Sequence, residues 1–237
     1  MEILIQGARD LGLVLTATQI RRFGLYLERL RERNRTVNLT SITSVEDIQL
    51  KHFLDSLTVA GMLPPDPGGA LRLLDVGSGA GFPGMPLKIT RESISLFLLD
   101  SIGKKTRFLE QLTRDLGLED VTVLTGRAET LARRCDLRES FDFVVSRAVA
   151  PLSALLEISL PFCRIGGRVV AQKIASYRNE PGDFQNALSR LGGSFLEETP
   201  VNMDGLGRDR RLLLFEKTAP TPDAYPRRPG IPAKRPL

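Results

Sequence analysis

Apolar and polar positions fall into blocks along this chain, and the period within each block changes with position. Residues 17 to 33 (ATQIRRFGLYLERLRER) set Ile20, Phe23, Leu27 and Leu30 on one face of a 3.6-residue period. Residues 45 to 60 (VEDIQLKHFLDSLTVA) do the same with Ile48, Phe53, Leu54 and Leu57. Two amphipathic helices are therefore predicted to open the chain, and PPDPGG at 64 to 69 is a breaker-rich connection. From Leu71, short apolar runs near 71 to 75, 94 to 99, 121 to 124, 142 to 145 and 168 to 172 alternate with helical stretches. That alternation predicts an α/β fold built on a doubly wound parallel sheet. After residue 190 the order changes to strands at 194 to 199 and 211 to 216 with no long helix between them, so a terminal antiparallel pair is expected. From Ala219 the chain carries six prolines with Arg227, Arg228, Lys234 and Arg235. Such a segment is read as an extended tail, packed on the body or mobile, and not as regular helix or central strand. Three parts result: a helical extension over 1–63, a core domain over 70–218 and a tail over 219–237.

The first strand carries the chemistry. LLDVGSGAGFPG, residues 73 to 84, runs from apolar strand through Asp75 into a loop with glycines at 77, 79, 81 and 84. Glycines so spaced let the backbone turn sharply and approach a ligand with no Cβ in the way, as nucleotide-binding turns do. Two patterns are met at once. Gly79, Gly81 and Gly84 form the dinucleotide fingerprint G-x-G-x-x-G, and Asp75, Gly77, Gly79 and Gly81 form D-x-G-x-G-x-G, which resembles motif I of class I S-adenosylmethionine (SAM) methyltransferases. A carboxylate at the strand end suits SAM's cationic methionine part and repels a pyrophosphate, so Asp75 favours SAM over NAD. The second strand ends in Asp100, 19 residues past Gly81, where an acid accepts the ribose hydroxyls of either ligand. Ser101 is placed to cap the following helix, whose apolar positions Phe108, Leu109, Leu112 and Leu116 fit the helical period before Gly117 ends it. After the third strand, Ala128 and Glu129 admit two readings: contact with the adenine amino edge, or a first-turn acid stabilising a helix N-terminus. Ser146 and Arg147 follow the fourth strand, at the sheet edge where open α/β folds place their ligands, and the arginine reads as meeting an anion or a π face there or as an ordinary surface ion pair.

Composition narrows the class without choosing within it. The chain has 237 residues, 42% hydrophobic and 26% charged, with net charge +5 and a pI near 9.5. It is large enough for one core and basic enough to raise the prospect of a polyanionic partner. Cys135 and Cys163 have neither disulfide nor metal spacing and are expected to be reduced, and a single histidine, His52, leaves little scope for a zinc site or a hydrolase triad. No metal is expected. The N-terminal segment lacks a basic signal-like region, so a cytoplasmic protein without membrane association is expected.

Taken together, DVGSGAGFPG, LLDSIGKKTRFL, SRAVAPL and GGRVVAQK, with NLTS and KHFLDSL upstream and the tail YPRRPGIPAKRPL, make the chain resemble the RsmG/GidB family of bacterial 16S rRNA guanine-N7 methyltransferases. Phe82-Pro83-Gly84 and Ser146-Arg147-Ala148 are more specific to that family than the glycines. The resemblance implies a class I SAM-dependent methyltransferase fold, a seven-stranded mostly parallel sheet with an N-terminal helical extension. It further implies SAM contacts at Gly77, Phe82, Ala128, Glu129 and Arg147, with Asp100 and Ser101 on the ribose side and S-adenosylhomocysteine as product. The implied substrate is one guanine in the decoding-region loop of 16S rRNA, met as free rRNA or within the small subunit. A monomer is expected.

Guanine N7 has an in-plane lone pair and no hydrogen, so direct in-line attack on the methyl requires no general base. Arg147 is assigned a double role, touching SAM and flanking the base, while Ser146 orients the loop. RNA contacts are expected from Lys104, Lys105 and Arg107, from Lys173 after the fifth strand, and from Arg208, Arg210 and Arg211 before the last. Arg29, Arg31, Arg33 and Arg35, interleaved with Glu28 and Glu32, read as a solvated helix end. Three alternatives stand beside this reading: an NAD-dependent reductase, a SAM-binding protein without transfer activity, and a methyltransferase acting on a small molecule or another RNA. A short-chain reductase needs Tyr-x-x-x-Lys, yet Leu30, Pro181 and Pro229 follow the three tyrosines at that spacing.

Overall fold

A computed structural model describes residues 1–64 and 69–237, so most of the breaker-rich connection at 64 to 69 lies outside the described residues. Seven strands form one sheet in the order β3-β2-β1-β4-β5-β7-β6. They are β1 (Leu71–Val76), β2 (Ile94–Asp100), β3 (Val121–Thr125), β4 (Phe141–Arg147), β5 (Cys163–Ile174), β6 (Gly193–Pro200) and β7 (Arg210–Lys217). β1 to β5 pair in parallel, and β7 runs antiparallel between β5 and β6. All seven predicted strands are present. The central strands are apolar on both faces because helices cover both: β1 pairs Leu73 with Leu96 of β2 and with Phe143 of β4, all buried. Between β1 and β4 the strand order reverses, and loops leaving these two carboxyl ends part to make a crevice.

The helical extension is built from α1 (Glu2–Asp10), α2 (Ala17–Asn34) and a composite rod over 45–62. A capping box starts α2: the Thr16 hydroxyl accepts from Gln19 N at 3.2 Å, and Gln19 Oε1 accepts from Thr16 N at 2.8 Å. Its buried stripe is Phe23, Tyr26 and Leu30, while Leu27 is only partly covered. The rod departs from the single predicted α-helix. It runs as α3 (Val45–Ile48), a π-helical turn over Gln49–Leu54, α4 (Asp55–Leu57) and a 3₁₀ turn over Thr58–Met62. The wide π turn buries His52 beside Phe53 and Leu54, and such turns often mark functional sites. One apolar cluster runs unbroken from Leu4 and Phe23 of the extension to Met85 and Leu109 of the core. A second cluster fills the other face of the sheet.

Three helices frame the crevice: α5 (Gly84–Thr90), α6 (Gly103–Asp115) and α7 (Ala128–Leu131). Further along come α8 (Leu152–Ser159), α9 (Phe184–Leu191) and, inside the tail, α10 (Ile231–Lys234). Two local expectations are corrected. Ser101 does not cap α6: Ile102 is the cap residue, and the turn is fixed by Asp100, whose Oδ1 accepts from Ile102 N at 2.8 Å. The tail does contain helix, one turn long, because Pro232 sits in the first turn, where a missing N–H costs nothing.

Candidate functional site

The glycine loop leaves β1 with positive φ at Gly77 (+73°), Gly79 (+60°) and Gly81 (+105°), the left-handed region that side-chain-bearing residues rarely enter. At Gly81 space is as restrictive as angle, since an added Cβ would stand 2.6 Å from the Tyr26 hydroxyl. That hydroxyl donates to Ala80 O at 2.6 Å, so a residue of the extension holds the loop from below. Burial pushes the Tyr26 phenol well above its ordinary range and keeps it a donor.

Two carboxylates organise the loop's amides. Asp75 is fully buried, and its Oδ2 accepts from Gly84 N at 2.8 Å, the opening amide of α5. Asp100 Oδ2 accepts from Gly79 N at 3.0 Å, with Lys105 Nζ 3.9 Å away. The Gly79 and Gly84 amides are therefore already taken by carboxyl groups and are not free to hold a pyrophosphate. Asp75 Oδ1 has no partner in the protein. Burial, opposed by the Gly84 N–H and Arg147, pushes the Asp75 carboxyl up to about 7. Fully buried and not among the residues lining the groove at the strand ends, Asp75 supports the glycine loop from behind through Gly84, which corrects its expected role as a cofactor contact.

A groove of about 340 Å³ opens at the strand ends, lined by Gly77, Asp100, Ser101, Ala128 and Glu129 among others. It thus gathers five of the residues expected to bind cofactor. Apolar side chains Leu99, Ile102, Val149 and Ile158 alternate with those polar groups, the usual composition of a nucleoside site. A larger recess of about 710 Å³ lies between α2 and α6, but no residue of the glycine loop or of a strand end lines it. Glu129 Oε1 accepts from Gly230 N at 2.8 Å, and Gly230, Pro232 and Ala233 of the tail line the groove. Nothing in the sequence pattern signals this return of the tail; its prolines specify local stiffness, not destination.

The other expected cofactor residues, Asp75, Gly79, Gly81, Phe82 and Arg147, do not line the groove, and neither does Ser146. Phe82 is 4% exposed and flanked by Tyr26 (ring centroids 5.3 Å apart) and His52 (4.4 Å), so its ring packs on protein and not on adenosine. Ser146 is buried and donates from Oγ to Val76 O at 2.8 Å, tying the ends of β4 and β1 together. The Arg147 guanidinium points to the extension, donating to Lys51 O (3.0 Å), Asp55 Oδ2 (2.8 Å) and His52 Nδ1 (3.0 Å), and lies 5.1 Å from the Phe82 ring centre. Arginine can only donate, so His52 Nδ1 accepts and its proton sits on Nε2, directed at Thr40 Oγ1 2.7 Å away. Burial and the neighbouring Arg147 push the His52 imidazole down to about 3. Both ring nitrogens are thereby engaged by the protein.

The basic residues divide in the same way. Lys104, Arg107 and Arg208 are exposed and make no side-chain hydrogen bond or ion pair among the described residues. Lys105 leans toward Asp100, Arg210 lies 3.5 Å from Asp55, and Arg211 pairs with Glu198 at 3.1 Å. Lys173 is 8% exposed, and its Nζ donates to Ala150 O and both Glu180 oxygens, each at 2.7 Å. Glu180 in turn accepts from Leu152 N at 2.7 Å, so this pair anchors the groove-lining segment 148–150 and offers no charge to a ligand. Among the described residues no cluster of His, Cys, Asp or Glu is arranged to hold a metal, and no helix is long and apolar enough to cross a membrane. Cys135 is exposed and Cys163 buried, and burial pushes the Cys163 thiol up to about 12.

A seven-stranded sheet of this order, with an acid-bounded groove at its switch point, defines the class I SAM-dependent methyltransferase fold. Solved structures agree on the fold: a Methanococcus jannaschii fibrillarin pre-rRNA processing protein superposes with TM-score 0.51 at 15% identity, covering 66% of this chain and 71% of that one. A ribosomal protein L11 methylase from Lactobacillus delbrueckii subsp. bulgaricus gives 0.52 at 15% identity, covering 71% and 79%. The family model for GidB, rRNA small subunit methyltransferase G, matches residues 19–203, and the chain belongs to that family. Relatives bearing the name ribosomal RNA small subunit methyltransferase G include proteins from Dehalococcoides mccartyi, 45% identical, and Roseiflexus sp., 46% identical, each over the full length of both chains. One from Lactococcus lactis is 40% identical, covering 98% of this chain and 97% of its own. The protein is a methyltransferase enzyme.

Proposed function

We propose that this enzyme transfers a methyl group from SAM to N7 of one guanine in the decoding-region loop of 16S rRNA. The observation that carries the cofactor assignment is the paired carboxylates. Asp75 and Asp100 occupy the amides of Gly84 and Gly79, which disfavours the pyrophosphate of a dinucleotide, while Asp100 and Glu129 line the groove as acceptors for a nucleoside. SAM supplies an electrophilic methyl on a sulfonium. Asp100 and Ser101 would face the ribose, with Ala128 and Glu129 at the adenine edge, while Asp75 would act from behind the groove by holding the Gly84 amide.

Attack by the N7 lone pair needs alignment and no proton acceptor. Holding nucleophile and methyl in line can contribute on the order of 7–11 kcal/mol. The protein's part is then rigidity: Tyr26 on Ala80 and Ser146 on Val76 fix the loop, and Arg147, bonded to Asp55 and His52, locks the end of β4 to the extension. Arg147 acts in this reading as a positioning residue next to Phe82. The names of the relatives support rRNA as substrate, and exposed Lys104, Arg107 and Arg208 supply phosphate contacts on the rim. Incubation with labelled SAM and either naked 16S rRNA or small subunits tests the proposal. Salt-sensitive incorporation into one guanine supports it, and no incorporation into either substrate refutes it.

A further inference from the structure

We propose that the C-terminal segment Gly230–Ala233 is the nucleoside wall of the cofactor site, clasped to the body by Arg227 and Glu157. The inference rests on the cofactor reading above. Gly230, Pro232 and Ala233 share the groove with Gly77, Asp100 and Glu129. None of the three carries a polar side chain, so they offer an apolar wall suited to one face of a purine. Gly230 N–H takes Oε1 of Glu129, which turns the carboxylate and leaves its second oxygen to accept from an exocyclic amine.

The tail is held as a structural element. A proline-rich segment cannot satisfy its carbonyls by regular pairing, and here arginines of the body do so. Arg138 donates to Thr221 O at 2.6 Å and to Tyr225 O at 3.1 Å, and Arg133 donates to Pro226 O at 2.6 Å. Lys217, fully buried, bonds Thr221 Oγ1 and lies 3.3 Å from Glu139. Nearest the groove, Glu157 is fully buried in α8 and its carboxylate grips Arg227 through N, Nε and Nη2 at 2.6–3.1 Å. Burying a glutamate is costly unless its partner is permanent. The clasp ends three residues before Gly230, so it sets the position of the wall.

The chain has no tryptophan, which makes the test direct. Ala233 is exposed at the groove, so Ala233→Trp adds a single indole reporter without disturbing the core. Titration with S-adenosylhomocysteine should change the indole emission to saturation, and calorimetry should show affinity at least fivefold below wild type. In the full chain, Glu157→Gln combined with Arg227→Gln opens the clasp without stranding a buried charge. It should weaken S-adenosylhomocysteine binding at least tenfold and raise the KM for SAM, with the KM for rRNA within twofold of wild type. Should the double variant fail to fold, the indole titration decides alone. A silent indole with wild-type affinity overturns this inference and leaves the cofactor assignment standing. No binding of S-adenosylhomocysteine by the wild-type protein overturns both.

Discussion

Arg147→Ala is the most informative single change. The wild-type guanidinium donates to Asp55, His52 and the Lys51 carbonyl, and Asp55 is only 3% exposed at its side chain. Removing one partner of a buried pair costs about 3–5 kcal/mol, because the other charge stays behind uncompensated. Arg210 Nε, 3.5 Å from Asp55 Oδ1, remains as a weaker second cation and moves the expectation to the lower end, about 3 kcal/mol. For a chain of this length that corresponds to a thermal midpoint lower by roughly 6–12 °C. Urea denaturation of Arg147→Ala, Asp55→Asn and the double variant gives the coupling, expected at about 1–3 kcal/mol. Binding and rate are read at a temperature where the variant is folded. Arg147 does not line the groove, so affinity for S-adenosylhomocysteine should stay within about threefold. Single-turnover methylation should fall at least about tenfold as the end of β4 loosens, since small misplacements are heavily penalised. A stability loss under about 1 kcal/mol would refute the clamp. A methylation rate within about threefold of wild type would remove Arg147 from the catalytic account.

The single histidine makes pH dependence easy to assign. His52 is pushed down to about 3, so the folded state binds its proton less readily than the unfolded one; its contribution is complete above the unfolded value of 6.5 and is lost as pH falls below it. The expected loss from pH 7.5 to 5 is about 2 kcal/mol. Asp75, pushed up to about 7, acts in the opposite sense, its contribution falling as pH rises toward 7. The two slopes oppose each other between pH 5 and 7, so Asp75→Asn should steepen the loss of stability as pH falls; an imidazole resonance titrating near 6.5 contradicts the assignment. Gly81→Ala places a Cβ 2.6 Å from the Tyr26 hydroxyl at φ +105° and should cost at least about 2 kcal/mol, with wild-type stability the contrary result. Lys173→Met should lower affinity for S-adenosylhomocysteine severalfold by freeing segment 148–150, although the lysine touches no ligand; unchanged affinity argues against that anchor. Lys104→Glu with Arg107→Glu should raise the KM for rRNA and flatten its salt dependence while leaving cofactor affinity unchanged. A shift in cofactor affinity alone would place these cations elsewhere.

Much of the architecture could be read from periodicity, because buried parallel strands and amphipathic helices write their burial directly into residue order. The five parallel strands follow from apolar runs, and the glycine loop announces itself because positive φ at Gly77, Gly79 and Gly81 restricts residue choice. What the sequence conceals is direction. Asp75, Phe82 and Arg147 stand at the sheet edge where the pattern places them, yet Asp75 holds the first amide of α5, Phe82 packs between Tyr26 and His52, and Arg147 turns toward the extension. Each depends on a partner 9 to 96 residues away, and local pattern carries no record of such pairings. Lys173 illustrates the same limit for charge: a lysine after a strand reads as a surface cation until Glu180 and Ala150 are seen to enclose it. The π turn at Gln49–Leu54 is likewise invisible to a 3.6-residue period, and it is this turn that brings Lys51 and His52 to Arg147.

The central claim is methyl transfer to a guanine N7 in small-subunit rRNA. The product of a reaction with purified enzyme, SAM and 16S rRNA or small subunits should be treated with borohydride and aniline, which cleave RNA at N7-methylguanosine, and the cleavage site mapped by primer extension. The account predicts one new, enzyme-dependent break at a guanine in the decoding-region loop, absent without SAM. Stoichiometric methyl incorporation with no such break, placing the methyl on an exocyclic amine or a ribose, would contradict it.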